Sequence, residues 1–215
     1  MKTNKLIGVA VAAAGLGAIG MAAAFSQPET DHPGKRYVEE LRSSAMGPEV
    51  MEAYMKAGEP GVAHELIAMM QGNFKATNRM WLSPDAEPME STATSSNTII
   101  MGGRFLETDY AGDIMGMPFT GKGLMGYDNN RKLFTSMWID SMTTGISTSM
   151  GNLDESGTAI TLIGEMDEPT TGEMGKAYKT VFRIIDEDTH VMEMWEVLYG
   201  EPFKVMEIAY ERIEG

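Results

Sequence analysis

From Asn73 to the end of the chain, one pattern repeats: segments of alternating apolar and polar residues, each closed by turn-forming residues. Strands are predicted at 74–82, 91–101, 104–112, 119–127, 133–140, 145–153, 158–166, 175–186, 190–199 and 202–212. The breaks between them, among them "SPDAEP", "DNNRK", "DESG" and "DEDT", are too short for a crossover helix. Each strand is therefore predicted to pair antiparallel with the next. Ten meandering strands form an awkward open sheet, and closure removes both edges. The predicted fold is all-β, an up-and-down antiparallel barrel of about ten strands.

Before Asn73 the period is helical. "KRYVEELRSSA" sets Tyr37, Val38 and Leu41 on one side, "PEVMEAYMKA" does the same with Val50, Met51, Tyr54 and Met55, and "VAHELIAMMQ" stops at Gly72. Several strands are apolar on both faces. In "HVMEMWEVLY", Met192 and Met194 alternate with Val191 and Trp195, so the N-terminal helices or a second subunit are expected to cover part of the outside.

The first residues alter the picture of where this domain works. Lys2 and Lys5 precede the uncharged run "LIGVAVAAAGLGAIGMAAAF" and small residues suited to cleavage, which together read as an export signal. The run is rich in Ala and Gly rather than in the side chains that insert best, so cleavage is expected over retention as an anchor. The predicted organisation is a signal peptide at 1–26, a linker with short helices at 27–72 and a barrel at 73–215, in a periplasmic or secreted protein. No stable membrane insertion is expected after cleavage.

Charge and composition exclude several classes. The formal net charge is −14, and loss of Lys2 and Lys5 takes it to −16, so nucleic acid is an unfavourable partner. There is no cysteine, which removes thiolate metal sites and Cys nucleophiles. Gly121, Gly123 and Gly126 have the spacing of a dinucleotide fingerprint, but "YDNNRK" and another strand follow where a helix is needed. These glycines are expected to serve a bend or a close approach in a strand. Ser141 has no nucleophile-elbow context, and Asp140 and Ser141 are expected to bind turn backbone. No catalytic constellation is legible. No cofactor and no histidine or carboxylate metal set is assigned; His190, at a turn end, is expected to be solvated or satisfied by backbone.

The stretches "GGRFLETDYAGDIMGMPFTGKGLMGYDNNRKLFTSMWIDSM", "EPTTGEMGK", "DEDTHVMEMW" and "FKVMEIAYER" resemble the bacterial domain-of-unknown-function family 1579, from roughly His64 to Arg212. "MGMPFTG" (Met115 to Gly121) and "WIDSM" (Trp138 to Met142) are the most specific parts. The resemblance implies a lipocalin- or calycin-like architecture and brings no assigned activity or site.

The functional expectation is a lipocalin-like binder of a small apolar or amphipathic molecule. Arg104, Tyr110, Met117, Trp138 and Trp195 are the candidate ligand-binding residues, with Arg104 the anchor for an acidic group. Methionine, at 21 residues, supports two readings. It fills irregular interiors, and pairs such as Met115 with Met117 or Met192 with Met194 could hold a soft ion such as Cu(I). A filled structural or interaction barrel is the third reading, and a homo-oligomer is compatible with each.

Overall fold

The computed structural model describes residues 32–44, 47–114, 116–198 and 200–214. The expected signal segment 1–26, the start of the linker and Met115 lie outside the described residues. Two compact units divide at Gly47 and Pro48. In the first, α1 (Pro33–Ser44) has Tyr37, Val38 and Leu41 exposed. The second contains α2 (Pro48–Ala57), α3 (Val62–Ala68) and ten strands. These are β1 (Gly72–Met80), β2 (Met89–Ile100), β3 (Phe105–Ile114), β4 (Met117–Asp128) and β5 (Leu133–Asp140), then β6 (Ser147–Leu153), β7 (Ala159–Glu168), β8 (Glu173–Ile184), β9 (Thr189–Leu198) and β10 (Glu201–Arg212).

The strands form one closed barrel in which every neighbour is antiparallel and β1 pairs with β10. All ten predicted strands are present, and the up-and-down barrel is the observed fold. Closure follows from the short connections, because each strand can reach only the next and the last pair supplies partners that an open sheet would lack.

Register fixes which side chains face inward, since alternate residues share a face. Even-numbered residues of β1, β3, β5, β7 as far as Met166, β8 from Lys176, β9 and β10 from Met206, and odd-numbered residues of β2, β4 and β6, point inward, as pairs such as Ala76 with Ala93, Tyr110 with Gly121 and Leu162 with Thr180 establish. A register shift between Lys204 and Met206 reverses the alternation at the start of β10. At one end Ile67 of α3 and the following Met70 pack on Leu106, Met125, Phe134 and Ile160. Ile67 and Met70 are almost fully buried, each contributing about 1.5–3 kcal/mol of hydrophobic stabilisation. Arg212 ties this end together, donating to the carbonyls of Gln71 (2.7 Å), Met69 (3.4 Å) and Glu187 while its guanidinium lies on the Phe74 ring.

Of the helices expected to cover the barrel, α3 plugs an end. α2 has no buried residue, and its Met51, Tyr54 and Met55 are exposed. Apolar positions outside β8–β10 are shielded instead by cationic side chains: the Lys179 and Lys204 ammonium groups lie 5.0 and 5.9 Å from the centre of the Trp195 ring.

Candidate functional site

The inward faces of the two barrel halves differ. Near α3 the inward residues Leu106, Phe134, Ile160, Leu162 and Ile184 are buried. Toward the opposite rim, inward residues Asn78, Met80, Trp138, Met194 and Met206 keep partial exposure. That rim is the less tightly sealed end, and the half-barrel below it is the candidate site.

Trp138 is its largest wall. The indole lies over the inner face of β4, where a Cβ on Gly121 would stand 2.6 Å from Cη2 and 3.0 Å from Cε2, and one on Gly123 would stand 3.3 Å from Cε3. This explains the glycine spacing: two successive inward positions of β4 are vacated for one indole, and Gly121 pairs directly with Asp140. The indole Nε1 donates to the Asp140 carboxylate (3.1 Å), whose other oxygen accepts the backbone N–H groups of Met142 (2.9 Å) and Thr143 (3.1 Å). Ser141 Oγ accepts from the Thr120 N–H at 3.1 Å, so both polar residues of "WIDSM" hold turn and strand backbone.

Tyr110 meets Trp138 edge-on at 6.1 Å, and Phe119 packs on its other side at 6.0 Å. Its hydroxyl donates to Asn78 Oδ1 at 2.6 Å, and Asn78 donates in turn to Ser91. Burial pushes the Tyr110 hydroxyl above its ordinary pKa against the opposing effect of that hydrogen bond. Across the lumen Tyr178 fills the space over Gly164, where a Cβ would lie 2.7 Å from its hydroxyl. Burial raises the Tyr178 pKa too, with the hydrogen bond to Ser149 acting the other way. Near the rim Lys176 and Glu196, both inward by register, form an ion pair that raises the Lys176 pKa.

Deeper in, His190 stacks on Tyr210 at 4.3 Å with Phe74 edge-on at 4.7 Å. Contrary to the sequence expectation of a solvated turn histidine, it is buried, and desolvation aided by the Arg212 charge lowers its pKa to about 4. Its place at the second position of β9 points it inward; the turn ends just before it.

Of the five residues expected to bind a ligand, Tyr110 and Trp138 come together in the less sealed half, and three lie elsewhere. Arg104 belongs to the β2–β3 turn, where positive φ at Met101, Gly102 and Gly103 takes it out of the strand and its Nη1 donates to the Met101 carbonyl at 2.8 Å. Exposed there, it does not alternate with Leu106 and Tyr110 on the inner face. Met117 is the first residue of β4 and is exposed at the rim. Trp195 points outward because its neighbours Met194 and Glu196 point inward, and its Nε1 donates to Glu193 at 3.3 Å. Sequence reasoning missed Tyr178, Asn78 and the Lys176–Glu196 pair, which pairing across non-consecutive segments brings to the same lumen. Arg183 is on the outer face, 3.5 Å from Glu193.

A concavity of about 650 Å³ crosses the outer wall from β1 to β5. Three adjacent register rows form it, with Asn73, Ser96, Asp109, Lys122 and Ile139 along one side. Lys122 pairs with Asp109 there, and most of the remaining lining surface is apolar. Among the described residues no group of three or more His, Asp or Glu side chains is placed to hold a metal ion, and no helix is long and apolar enough to cross a membrane.

The family model described as "Protein of unknown function (DUF1579)" matches residues 59–212. The chain belongs to this family. None of the curated proteins matches it. Among solved structures, Rv2717c from M. tuberculosis is similar with a TM-score of 0.52 and 16% identity, over 73% of this chain and 100% of that one. A redesigned β-barrel has a TM-score of 0.36 and 11% identity, over 68% of this chain and 94% of that one. The Rv2717c likeness is a likeness of fold. A DUF1579 chain with this closed barrel is compatible with a lipocalin-like binding protein.

Proposed function

We propose that this DUF1579 protein binds a small apolar or amphipathic molecule in the half-barrel away from α3, and that it does so outside the cytoplasm after losing residues 1–26. The observation that carries the reading is the contrast between the halves. Inward side chains such as Leu106, Phe134, Ile160 and Leu162 near α3 are sealed, whereas Trp138 and the thioether side chains of the other half remain partly open to solvent, with Tyr110 and Tyr178 buried behind them. Large apolar groups with a few fixed polar atoms are the usual lining of a small-molecule site. Tyr110, Trp138 and Tyr178 would supply flat apolar walls, and the hydroxyls of Tyr110 and Tyr178 with the Lys176–Glu196 pair would meet a polar head. The export signal read in residues 1–26 supports the location.

The test combines native mass spectrometry of protein purified from its exported compartment with displacement of an apolar fluorescent probe. Ser147 is inward and pairs with Trp138 at the rim, so Ser147→Trp should obstruct entry with little change in melting temperature. The expected result is a mass adduct lost on denaturation and probe binding abolished by S147W. A bare mass together with probe binding unaffected by S147W would refute the site.

A further inference from the structure

Four methionines far apart in sequence form one inward row. Met89 of β2 is the direct register partner of Met80 of β1, Met80 of Met206 of β10, and Met206 of Met194 of β9. The row therefore crosses four adjacent strands without interruption, and all four residues are partly exposed. A row built only for packing would be expected to bury these side chains as the other half buries Leu162 and Ile160.

We propose that this row is a binding site for a soft monovalent cation of the Cu(I) or Ag(I) type. Thioether sulfur is a soft, neutral donor that favours such ions over hard ones. Methionine has three rotatable side-chain bonds, so sulfurs on neighbouring strands can turn toward a common centre. Neighbouring strands lie about 4.8 Å apart, so the four α-carbons span about 14 Å, too far for all four sulfurs to meet at one ion. The ion sits instead between Met80 and Met206, with Met89 or Met194 completing a three-sulfur set. Met80 and Met206 are then indispensable, while the two outer methionines substitute for one another. Glu196 follows Met194 on the same face of β9 and lies on the side of the rim, where its charge favours a cation even when paired to Lys176. The site borders the organic-ligand site at Glu196 but needs neither Tyr110 nor Trp138.

Thioethers carry no proton to lose, so affinity should not change between about pH 4 and 8. The titratable groups on the inner face are Glu196, Lys176, Tyr178, Tyr110, Asp140, His190 and Tyr210. Binding through His190, whose pKa is lowered to about 4, would weaken as pH falls toward 4, so the titration is carried down to that pH. The experiment is titration of the folded protein with Ag(I), which is redox-inert, and with Cu(I) held under ascorbate against a colorimetric Cu(I) chelator. Variants are Met80→Leu, Met206→Leu, Met89→Leu and Met194→Leu, with Met174→Leu on the exposed start of β8 as control. Leucine keeps the volume, and melting curves confirm folding. The expected result is one saturable, pH-independent equivalent, weakened at least about tenfold by M80L or M206L, less by M89L or M194L alone, and untouched by M174L. Absence of saturable Ag(I) binding, binding that survives the M80L/M206L double variant, or affinity that falls with protonation would each overturn the proposal. None of these results bears on probe binding and its loss in S147W, so this site and the organic-ligand site fail separately.

Discussion

Replacing Gly121 with alanine places one methyl group against the indole of Trp138. The strand backbone of β4 accepts alanine, and without an obstacle the change would gain roughly 0.5–1 kcal/mol over glycine. The obstacle is the ring: Cη2 would be 2.6 Å and Cε2 3.0 Å from the new carbon, against about 3.5–4.0 Å for carbon atoms in contact. The indole must shift by about 1 Å while its Nε1 is tied to Asp140 and its flank meets Tyr110. Overpacking of this kind costs about 1–3 kcal/mol, and weakening a hydrogen bond to a carboxylate adds a comparable amount. After the backbone gain the net loss is about 1–5 kcal/mol.

Urea unfolding at pH 7, followed by circular dichroism and tryptophan emission, measures it. Gly145→Ala is the control, because nothing lies within 4 Å of its Cβ position. A double-mutant cycle with Trp138→Phe isolates the contact: once the indole is gone, G121A should cost at least about 1 kcal/mol less than it does alone. A G121A protein as stable as the wild type, or losses that simply add, would refute the placement of Trp138 over β4.

Four further outcomes follow from the same geometry. Because His190 has a folded pKa of about 4 against 6.5 unfolded, the unfolded chain takes up its proton first as pH falls. The stability from this group is complete above pH 6.5 and declines by roughly 3 kcal/mol toward pH 4. His190→Phe keeps an aromatic ring on Tyr210 and should remove that slope, so parallel pH-stability curves for the two proteins would count against it. Ile67→Ala opens the plugged end and should cost about 2–5 kcal/mol in urea melts. Tyr110→Phe removes the 2.6 Å hydrogen bond to Asn78 and should cost about 0.5–1.5 kcal/mol without loss of the barrel's circular dichroism signature. Arg104→Ala should leave probe affinity unchanged and stability within about 0.5 kcal/mol, as suits an exposed turn residue; a large loss of affinity would return Arg104 to the site.

The barrel was legible in the sequence because period-two alternation and short breaks leave little other topology available. Strand boundaries came within a few residues, and 133–140 matches β5. The site was only half legible. The inward placement of Tyr110 and Trp138 was legible because aromatic residues mid-strand on an apolar face point inward. Arg104 was misplaced because "MGGR" reads equally as the start of a strand, and only the left-handed backbone of the turn removes it from the alternation. Trp195 was misplaced for a different reason: "MEMWEV" is apolar on both faces, so its parity could not be set until β9 was paired with β8 and β10. His190 shows the same limit, since a histidine two residues from a turn gives no sign that Tyr210 and Phe74 close over it.

What separates the two halves of the barrel is the size of the inward residues at mid-height. Ser91, Ser95, Gly121, Gly123, Ser136 and Ser149 face inward where a sequence selected for packing alone would place branched aliphatic side chains. Some of that space goes to Trp138, and some of the polarity is satisfied locally, as where Ser95 donates to Asn97 (2.9 Å) and Asn97 to the Met70 carbonyl (2.8 Å). Small inward residues stabilise less than leucine or isoleucine would, by about 0.8 kcal/mol for each methylene left out. Sealing by Ile67 and Met70 recovers part of this at one end only. At the other end the long inward side chains are methionines, which can move aside and re-pack where branched residues cannot. Rigid aromatic walls, a closed floor and adjustable thioethers at the rim together make an interior suited to admitting a guest.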